Sequence, residues 1–326
     1  MREISAIWIV LLGLMIASCN STTSKQATIE IDANGVAILS DEQIEDIVKR
    51  SYQYVAMYNV NNKGSMQYGG WNVVDVDDEP KDHTFKVIAR PNNDTYYITG
   101  MIDVRKDAVI LDMPAFDSKY VSLMITGYDH YVNIPLSTRL GDFQEPEKLL
   151  IFSERTEGYK KDEKVEGVDR YFEVTGDFVS AVFRVMPHIS DQERYQRVTD
   201  QMNAFKMPTL PEYQSGEPSP QEKVELPPVG KTDVDVFANN LLEVMQFVFN
   251  HTTFDMENEL DKKLLELYKP LGVVPGQAYD ANNVVKLDSE KFRKVAQRIT
   301  DEEMAKADKL AASTGLFQPK GMIGLD

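Results

Sequence analysis

The side chains best suited to chemistry lie together in one short segment, Arg-Pro-Asn-Asn-Asp-Thr-Tyr-Tyr, which includes Arg90, Asn93, Asp94 and Tyr97. Pro91 fixes its own φ, and the Asn-Asn-Asp run favours a tight turn whose side chains bond backbone amides. Such a turn between two strands would hold a guanidinium, a carboxylate and a phenol in a fixed arrangement that suits a polar ligand. The alternative is structural: Asn93 and Asp94 brace a hairpin while Arg90 pairs with Asp94.

A second candidate pair is His130 and Asn133, which lie in Gly-Tyr-Asp-His-Tyr-Val-Asn at the end of a predicted strand. An acid–base pair such as Asp94 with His130 would serve hydrolysis if the fold brought the two within hydrogen-bond distance. A lone histidine, however, is more often a surface or core residue than a catalytic one.

Common catalytic and metal-binding motifs are absent from the sequence. It has no Gly-x-Ser-x-Gly, no phosphate-binding loop with Gly-Lys-Ser/Thr and no His-Glu-x-x-His. Its four histidines are not spaced as metal ligands. The acidic cluster Asp75, Asp77, Asp78 and Glu79 lacks the spacing and glycine of an EF-hand loop, so we predict a solvated turn there. The sequence therefore predicts no metal site and leaves any cofactor unknown.

Cys19 is the single cysteine of the 326 residues and follows an apolar run over 4–18 that is too short for a comfortable membrane span. The run ends in Ile-Ala-Ser-Cys, which resembles the lipobox of bacterial lipoproteins. We therefore predict a signal peptide over 1–18, an acylated Cys19 as the contact with the lipid bilayer, and a flexible tether over 19–36. This places the protein in the cell envelope. Asn20, in place of an aspartate, favours the outer membrane where the cell has two.

The composition limits the partners. The formal charge of −17 repels nucleic acid and anionic headgroups, so nucleic-acid binding is excluded. With Cys19 acylated, no thiol is left for a disulfide, a cysteine nucleophile or a metal site. Stability must therefore come from the apolar core, for which 42% hydrophobic residues suffice.

Hydrophobic periodicity divides the chain into a helix, a strand-rich region and further helices. A capping box of Ser40 and Gln43 begins the first helix, which a turn at Asn61–Gly64 is predicted to end. Period-two patterns then predict the strands Phe85–Arg90, Thr95–Thr99, Ala108–Asp112, Tyr120–Ile125, Leu149–Phe152, Tyr171–Val174 and Phe178–Met186. These short strands predict an antiparallel β-sandwich-like or rolled sheet core within an α+β fold.

Helices dominate the rest of the chain. A second capping box of Ser190 and Glu193 predicts another helix, after which six prolines between 208 and 230 predict a crossing loop or linker. The predicted units are thus a helix-plus-β domain over 37–207, a Pro-rich linker over 208–231 and a helical region over 232–326.

The central segment resembles a bacterial family named domain of unknown function 1254. The residues concerned are Arg90 to Tyr97, Asp103, Ala108 to Pro114 and Tyr120 to Met124, and the resemblance extends over about residues 40–210. It implies this architecture and adds interest to Arg90, Asn93, Asp94 and Tyr97 as a site, but it implies no reaction. In the family, a connector like Leu271–Gly276 leads into a second β-rich domain, domain of unknown function 1214. That domain does not follow in this sequence, which leaves three explanations open: a truncated reading frame, a separately encoded β-rich domain that docks in trans, or a divergent member whose tail packs on its own helices. We favour a missing or separately encoded partner.

Two functional hypotheses follow. The first is a membrane-anchored envelope lipoprotein that acts as a non-catalytic binding or assembly module. The alternative is an envelope hydrolase with a small or glycan substrate. The fifteen tyrosines could stack on sugar rings, although strands also use tyrosine for core packing.

Overall fold

The protein has the predicted α+β fold. The computed structural model describes residues 29–79, 94–220 and 223–314, with side chains as far as 306 in the last range. The helices are α1 (Asp41–Tyr68), α2 (Gln192–Ala204), α3 (Leu210–Ser215), α4 (Asp233–Asn239), α5 (Leu241–Asn250), α6 (Glu259–Tyr268) and α7 (Ser289–Thr314). The strands are β1 (Val73–Asp77), β2 (Tyr96–Asp103), β3 (Val109–Met113), β4 (Val121–Thr126), β5 (Val132–Ser137), β6 (Glu147–Phe152), β7 (Arg170–Glu173) and β8 (Phe178–Val185).

Two sheets form the β region. The larger is antiparallel with strand order β1-β2-β8-β4-β5, and the smaller has the order β3-β6-β7. In the smaller sheet β3 pairs antiparallel with β6, whereas β7 runs parallel to β6. The sandwich-like core predicted from the strand pattern is therefore confirmed, with one parallel pair added.

An apolar core lies between the two sheets. In the larger sheet Ile98, Phe183 and Leu123 lie side by side in register on three neighbouring strands. They share one buried cluster with the paired residues Leu111 and Leu149 of the smaller sheet. Because side chains alternate between the faces of a strand, the period-two patterns of the sequence identify these inward positions correctly.

A second core lies on the opposite face of the larger sheet, where α1 packs with α4, α5, α6 and α7. The sheet contributes Met101 and Phe178 to it, and Trp71 packs on Phe178 with ring centroids 4.8 Å apart. Tyr128, buried here, donates a hydrogen bond of 3.0 Å from its hydroxyl to Oδ1 of Asn62 in α1. The first helix therefore belongs structurally with the last ones.

α1 begins as predicted, with the Ser40 capping box, but it does not end at Asn61–Gly64. It continues to Tyr68 and ends at Gly69, whose φ of +97° is a left-handed C-cap. Buried asparagines inside the helix find distant partners: Asn62 accepts from Tyr128, and Nδ2 of Asn59 donates to Asp233 at 2.9 Å. These tertiary contacts outweigh the local turn preference of the Asn-Asn-Lys-Gly sequence.

Two strands were not predicted. Asp75 and Asp77, expected in a solvated turn, lie in β1 opposite Thr99 and Tyr97, so that expectation is wrong for these two residues. β5 contains Pro135, a residue type that is rare inside strands. It lies at the edge of the sheet, where the missing N–H of proline is tolerated.

The predicted boundary of α2 is wrong by one residue, because the N-cap is Asp191, whose side chain accepts from the Arg194 N–H. The Pro-rich segment contains α3, and just before it the Pro208 carbonyl accepts from the Ile110 N–H at 2.8 Å. Further along, the Pro227 carbonyl accepts from the Tyr58 hydroxyl. The segment thus contacts strand β3 of the smaller sheet and the helical core.

Candidate functional site

Four of the seven predicted site residues, namely Asp94, Tyr97, His130 and Asn133, lie among the described residues. Arg90, Asn93 and the acylation residue Cys19 lie outside the described residues, as does the strand predicted at 85–90. Asp94, two residues before β2, lines a small groove of about 290 Å³ together with Arg184 of β8, and Tyr97 is the second residue of β2. The Arg184 guanidinium carbon lies 6.0 Å from the centroid of the Tyr97 ring.

His130 and Asn133 lie at the opposite end of the sheet from Asp94. Tyr96 and Val121, near Asp94, both pair with Val185, whereas His130 follows the other end of β4. Five residue steps along β4 place these ends about 17 Å apart. The structure therefore does not bring Asp94 and His130 together as an acid–base pair. Asn133 has a structural contact, since its Oδ1 accepts from the Thr175 N–H at 2.6 Å.

A deeper cleft, of about 750 Å³, lies between α1, the loop after β4 and the segment from the end of α5 into α6. We call it the α1–α6 cleft. It is lined by Asp46, Lys49, Arg50, Gln53, Tyr54, Asp129, Tyr131, Thr175, Thr252, Thr253, Phe254, Asp255, Asn258, Leu260, Asp261 and Leu264. A wider groove along α7 is lined by that helix alone. The α1–α6 cleft, in contrast, combines residues from four parts of the chain, as ligand sites usually do.

Backbone pairing fixes the walls of the cleft. Gly176 and Thr252 form an antiparallel bridge, and the Thr253 N–H donates to the Thr175 carbonyl at 2.6 Å. On the other wall, Nε2 of Gln53 donates to the Asp129 carbonyl at 3.0 Å. These bonds join α1, the β4–β5 loop and the segment after α5 into one site.

Asp129 is half-buried in this cleft, one residue before the predicted His130. Its Oδ2 accepts from the Thr175 hydroxyl at 2.6 Å, and its Oδ1 accepts from the Tyr131 N–H at 3.0 Å. Burial raises the pKa of the Asp129 carboxyl above its ordinary value, and the negative charge of Asp261 adds to this rise. The two hydrogen bonds oppose it but do not cancel it.

Asp261 and Tyr54 complete the group around Asp129. Oδ2 of Asp261 accepts from the Asp255 N–H at 2.8 Å. Burial raises the pKa of the Tyr54 hydroxyl far above its ordinary value, and the charges of Asp261 and Asp129 raise it further. Tyr54 is therefore a neutral hydrogen-bonding group beside two carboxyl groups.

Behind the cleft, a buried carboxylate holds the wall in place. Asp177 accepts from the Ser153 hydroxyl at 2.7 Å and from Nε of Arg155 at 3.0 Å, and its Oδ2 lies 2.9 Å from Nδ1 of His251. Burial alone would raise the pKa of Asp177, but the bonds from His251, Arg155 and Ser153 outweigh it and lower the pKa. Nη1 of Arg155 also donates to the hydroxyl of Thr253, which lines the cleft.

Sequence reasoning missed Asp129, Tyr54 and Asp261. Within the segment Gly127–Asn133 it singled out His130 and Asn133 and passed over Asp129, because histidine and asparagine are the more familiar site residues. Within the described ranges, no cluster of three or more His, Cys, Asp or Glu side chains could hold a metal ion. Among the helices described, none is long and apolar enough to cross a membrane.

Residues 71–208 match the model of a family described as Protein of unknown function (DUF1254). This segment belongs to that family. The resemblance seen in the sequence is therefore confirmed over the β region and α2. The Asp129 side of the cleft lies within the DUF1254 segment, whereas α1 and residues 252–264 lie outside it.

A solved structure has a similar fold. The chain resembles the VPA0106 protein from Vibrio parahaemolyticus with a TM-score of 0.58 and 21% identity, over 82% of this chain and 59% of that one. This chain thus spans less than two thirds of the Vibrio protein. An uncharacterized protein from Burkholderia cenocepacia matches over 56% of this chain and 51% of its own, with a TM-score of 0.30 and 10% identity. No curated protein is significantly similar to this chain in sequence.

Proposed function

We propose that this chain is a non-catalytic binding module of the bacterial cell envelope, held at the membrane by acylated Cys19, and that the α1–α6 cleft is its binding site for a small polar molecule. One observation supports the site above all: Asp129, a half-buried carboxyl group with a raised pKa, faces a cleft of about 750 Å³. Perturbed carboxyl groups in concave sites mark function more often than surface carboxylates do.

Ligand binding tests the proposal, with one variant that fills the cleft and one matched control. Leu260 lines the cleft and is 69% exposed, so Leu260→Trp adds an indole there without disturbing the core. Leu140 is 71% exposed and lies outside the cleft, in the turn after β5, so Leu140→Trp is the control.

The measurement is thermal unfolding in the presence of a panel of neutral sugars, carboxylates, amino acids and amines. A true ligand at 100 times its Kd stabilises the native state by about 2.7 kcal/mol. We expect at least one compound to raise the Tm of the native chain and of Leu140→Trp but not of Leu260→Trp. If every stabilising compound acts equally on both variants, the cleft is not the binding site.

The anchor is tested separately, by metabolic labelling with an alkyne-modified palmitate. We expect label on the native chain in the membrane fraction, and no label and release from the membrane for Cys19→Ala. Persistent membrane attachment of Cys19→Ala would contradict the lipoprotein hypothesis and leave the cleft proposal unaffected.

Hydrolysis of a small or glycan substrate is the second candidate function, now at the cleft and not at Asp94 and His130. The raised pKa of Asp129 favours hydrolysis, because a carboxyl group that stays protonated to a higher pH is a better general acid. Mass spectrometry of the identified ligand after incubation separates the two functions. An intact ligand supports the binding module, whereas products that disappear with Asp129→Asn support the hydrolase.

A further inference from the structure

The α1–α6 cleft has an excess of negative charge. Four aspartates line it, namely Asp46, Asp129, Asp255 and Asp261, against one lysine and one arginine. The acidic side chains therefore outnumber the basic ones, an excess that a neutral or anionic ligand would not balance. In a partly enclosed cleft such charges attract a cation more strongly than they would in open water.

Both basic residues of the cleft already pair with acids on their own helix. Lys49 pairs with Glu45 one turn earlier in α1, and Nε of Arg50 lies 2.8 Å from Oδ1 of Asp46. Across the described part of the chain, no lysine, arginine or histidine forms an ion pair with Asp129 or Asp261. Asp255 likewise forms no ion pair within the described ranges, so the excess negative charge lies on Asp129, Asp255 and Asp261.

Aromatic side chains stand beside Asp129 and Asp261. The rings of Tyr54 and Phe254 have centroids 6.1 Å apart and are tilted by 38°, and Tyr131 lines the same cleft. The Tyr54 and Phe254 rings are not coplanar, so they do not form the flat platform on which a sugar ring stacks. Tilted rings beside carboxylates are the arrangement in which proteins hold organic cations through the ring faces.

Thr252 gives an independent indication of a ligand. It lines the cleft and is only 4% exposed, yet its Oγ1 has no hydrogen-bond partner among the described residues. A buried hydroxyl without a partner is unfavourable, so native structures rarely retain one unless another group completes it. Because Oγ1 has almost no exposed surface, a ligand would complete it once the Thr252 side chain turns towards the cleft.

We infer that the ligand of the α1–α6 cleft is a small organic ammonium compound, whose cationic nitrogen lies between Asp129 and Asp261 against the Tyr54 and Phe254 rings, with a polar group for Thr252. This inference rests on the proposed function and specifies its ligand class. A cleft of about 750 Å³ accommodates a whole small molecule beyond the ammonium group itself.

Calorimetric titration with paired probes tests the inference on the full chain. Choline is compared with its uncharged analogue 3,3-dimethylbutan-1-ol, and glucosamine with glucose. The variants are Asp129→Asn and Asp261→Asn, and the control is Asp200→Asn, an aspartate that bonds Gln196 on the exposed side of α2. We expect at least one ammonium probe to bind tenfold or more tightly than its uncharged partner. Each cleft variant should weaken that binding at least tenfold, whereas Asp200→Asn should leave it unchanged.

Failure of this inference differs from failure of the proposed function. If neither ammonium probe binds better than its uncharged partner, or if Asp129→Asn and Asp261→Asn both keep native affinity, the ammonium inference is overturned. If Leu260→Trp abolishes the binding of a neutral or anionic compound, the cleft is still a binding site, although its ligand is not an ammonium compound. Circular dichroism of each variant confirms that lost affinity does not reflect an unfolded protein.

Discussion

Asp129 shows how the demands of a binding site and of a stable fold diverge at one residue. The raised pKa means that the native state holds the Asp129 proton more tightly than the unfolded chain does. Above the unfolded pKa of about 3.9, ionised Asp129 therefore lowers stability, and this loss grows as the pH rises through the folded pKa. A loss of stability at a residue that lines a cleft is what we expect of a ligand-binding group.

Asp129→Asn should accordingly stabilise the free protein at pH 7. The amide can still accept from the Tyr131 N–H and can donate to the Thr175 hydroxyl, so both hydrogen bonds survive. Differential scanning calorimetry should show a higher Tm than the native chain at pH 7 and no gain below about pH 4. A lower Tm at pH 7 would mean that Asp129 is a structural residue.

Asp177 should behave in the opposite way. It is buried and receives bonds from Ser153, Arg155 and His251, so Asp177→Asn removes the buried charge that these three groups share and leaves Arg155 paired with the exposed Glu154. We expect a loss of about 3–5 kcal/mol in urea unfolding at pH 7. Because its folded pKa is lowered, this stability is present above about pH 3.9 and is lost as the pH falls through the folded pKa.

Glu173→Gln is the control for Asp177. It removes the carboxylate of an exposed pair with Lys161 and should change stability by less than about 1 kcal/mol. Equal losses for Asp177→Asn and Glu173→Gln would show that the buried network does not hold the cleft wall.

At the scale of elements, the sequence predicts most strands because their inward residues alternate, but it predicts the length of α1 poorly. Asn61, Asn62 and Gly64 favour a turn locally, yet the helix continues because Tyr128 and the helical core enclose them. β1 and β5 were missed for related reasons. Aspartates and a proline disfavour strands on average, but edge positions accept them.

Two glycines of α1 test where the helix ends. Gly64 lies inside the helix, and a Cβ there would meet Met101 Sδ at an ordinary 3.5 Å, so Gly64→Ala should stabilise the protein by about 0.5–1 kcal/mol. Gly69 has a φ of +97°, so Gly69→Ala should destabilise it by about 1 kcal/mol. Urea unfolding measures both, and destabilisation by Gly64→Ala would place the end of the helix at the predicted turn.

For the whole molecule, the order of helix, sheet and helices could be predicted from the sequence, whereas the candidate site could not. Local patterns indicate which residues are buried, but the cleft combines α1, the loop after β4 and residues 252–264. Only the packing of α1 with the C-terminal helices brings these segments together. Single-segment motifs such as Arg90 to Tyr97 therefore drew attention to one end of the sheet, while the larger cleft formed elsewhere.

A crystal structure of the protein with choline or glucosamine, whichever binds more tightly, tests most directly where the ligand nitrogen lies. We expect the probe in the α1–α6 cleft, with its nitrogen within about 4 Å of the Asp129 and Asp261 carboxylates, the separation of a close ion pair. A probe bound elsewhere on the protein, or bound in the cleft with its nitrogen pointing to solvent, would contradict the assignment of these two carboxyl groups as the ligand's partners.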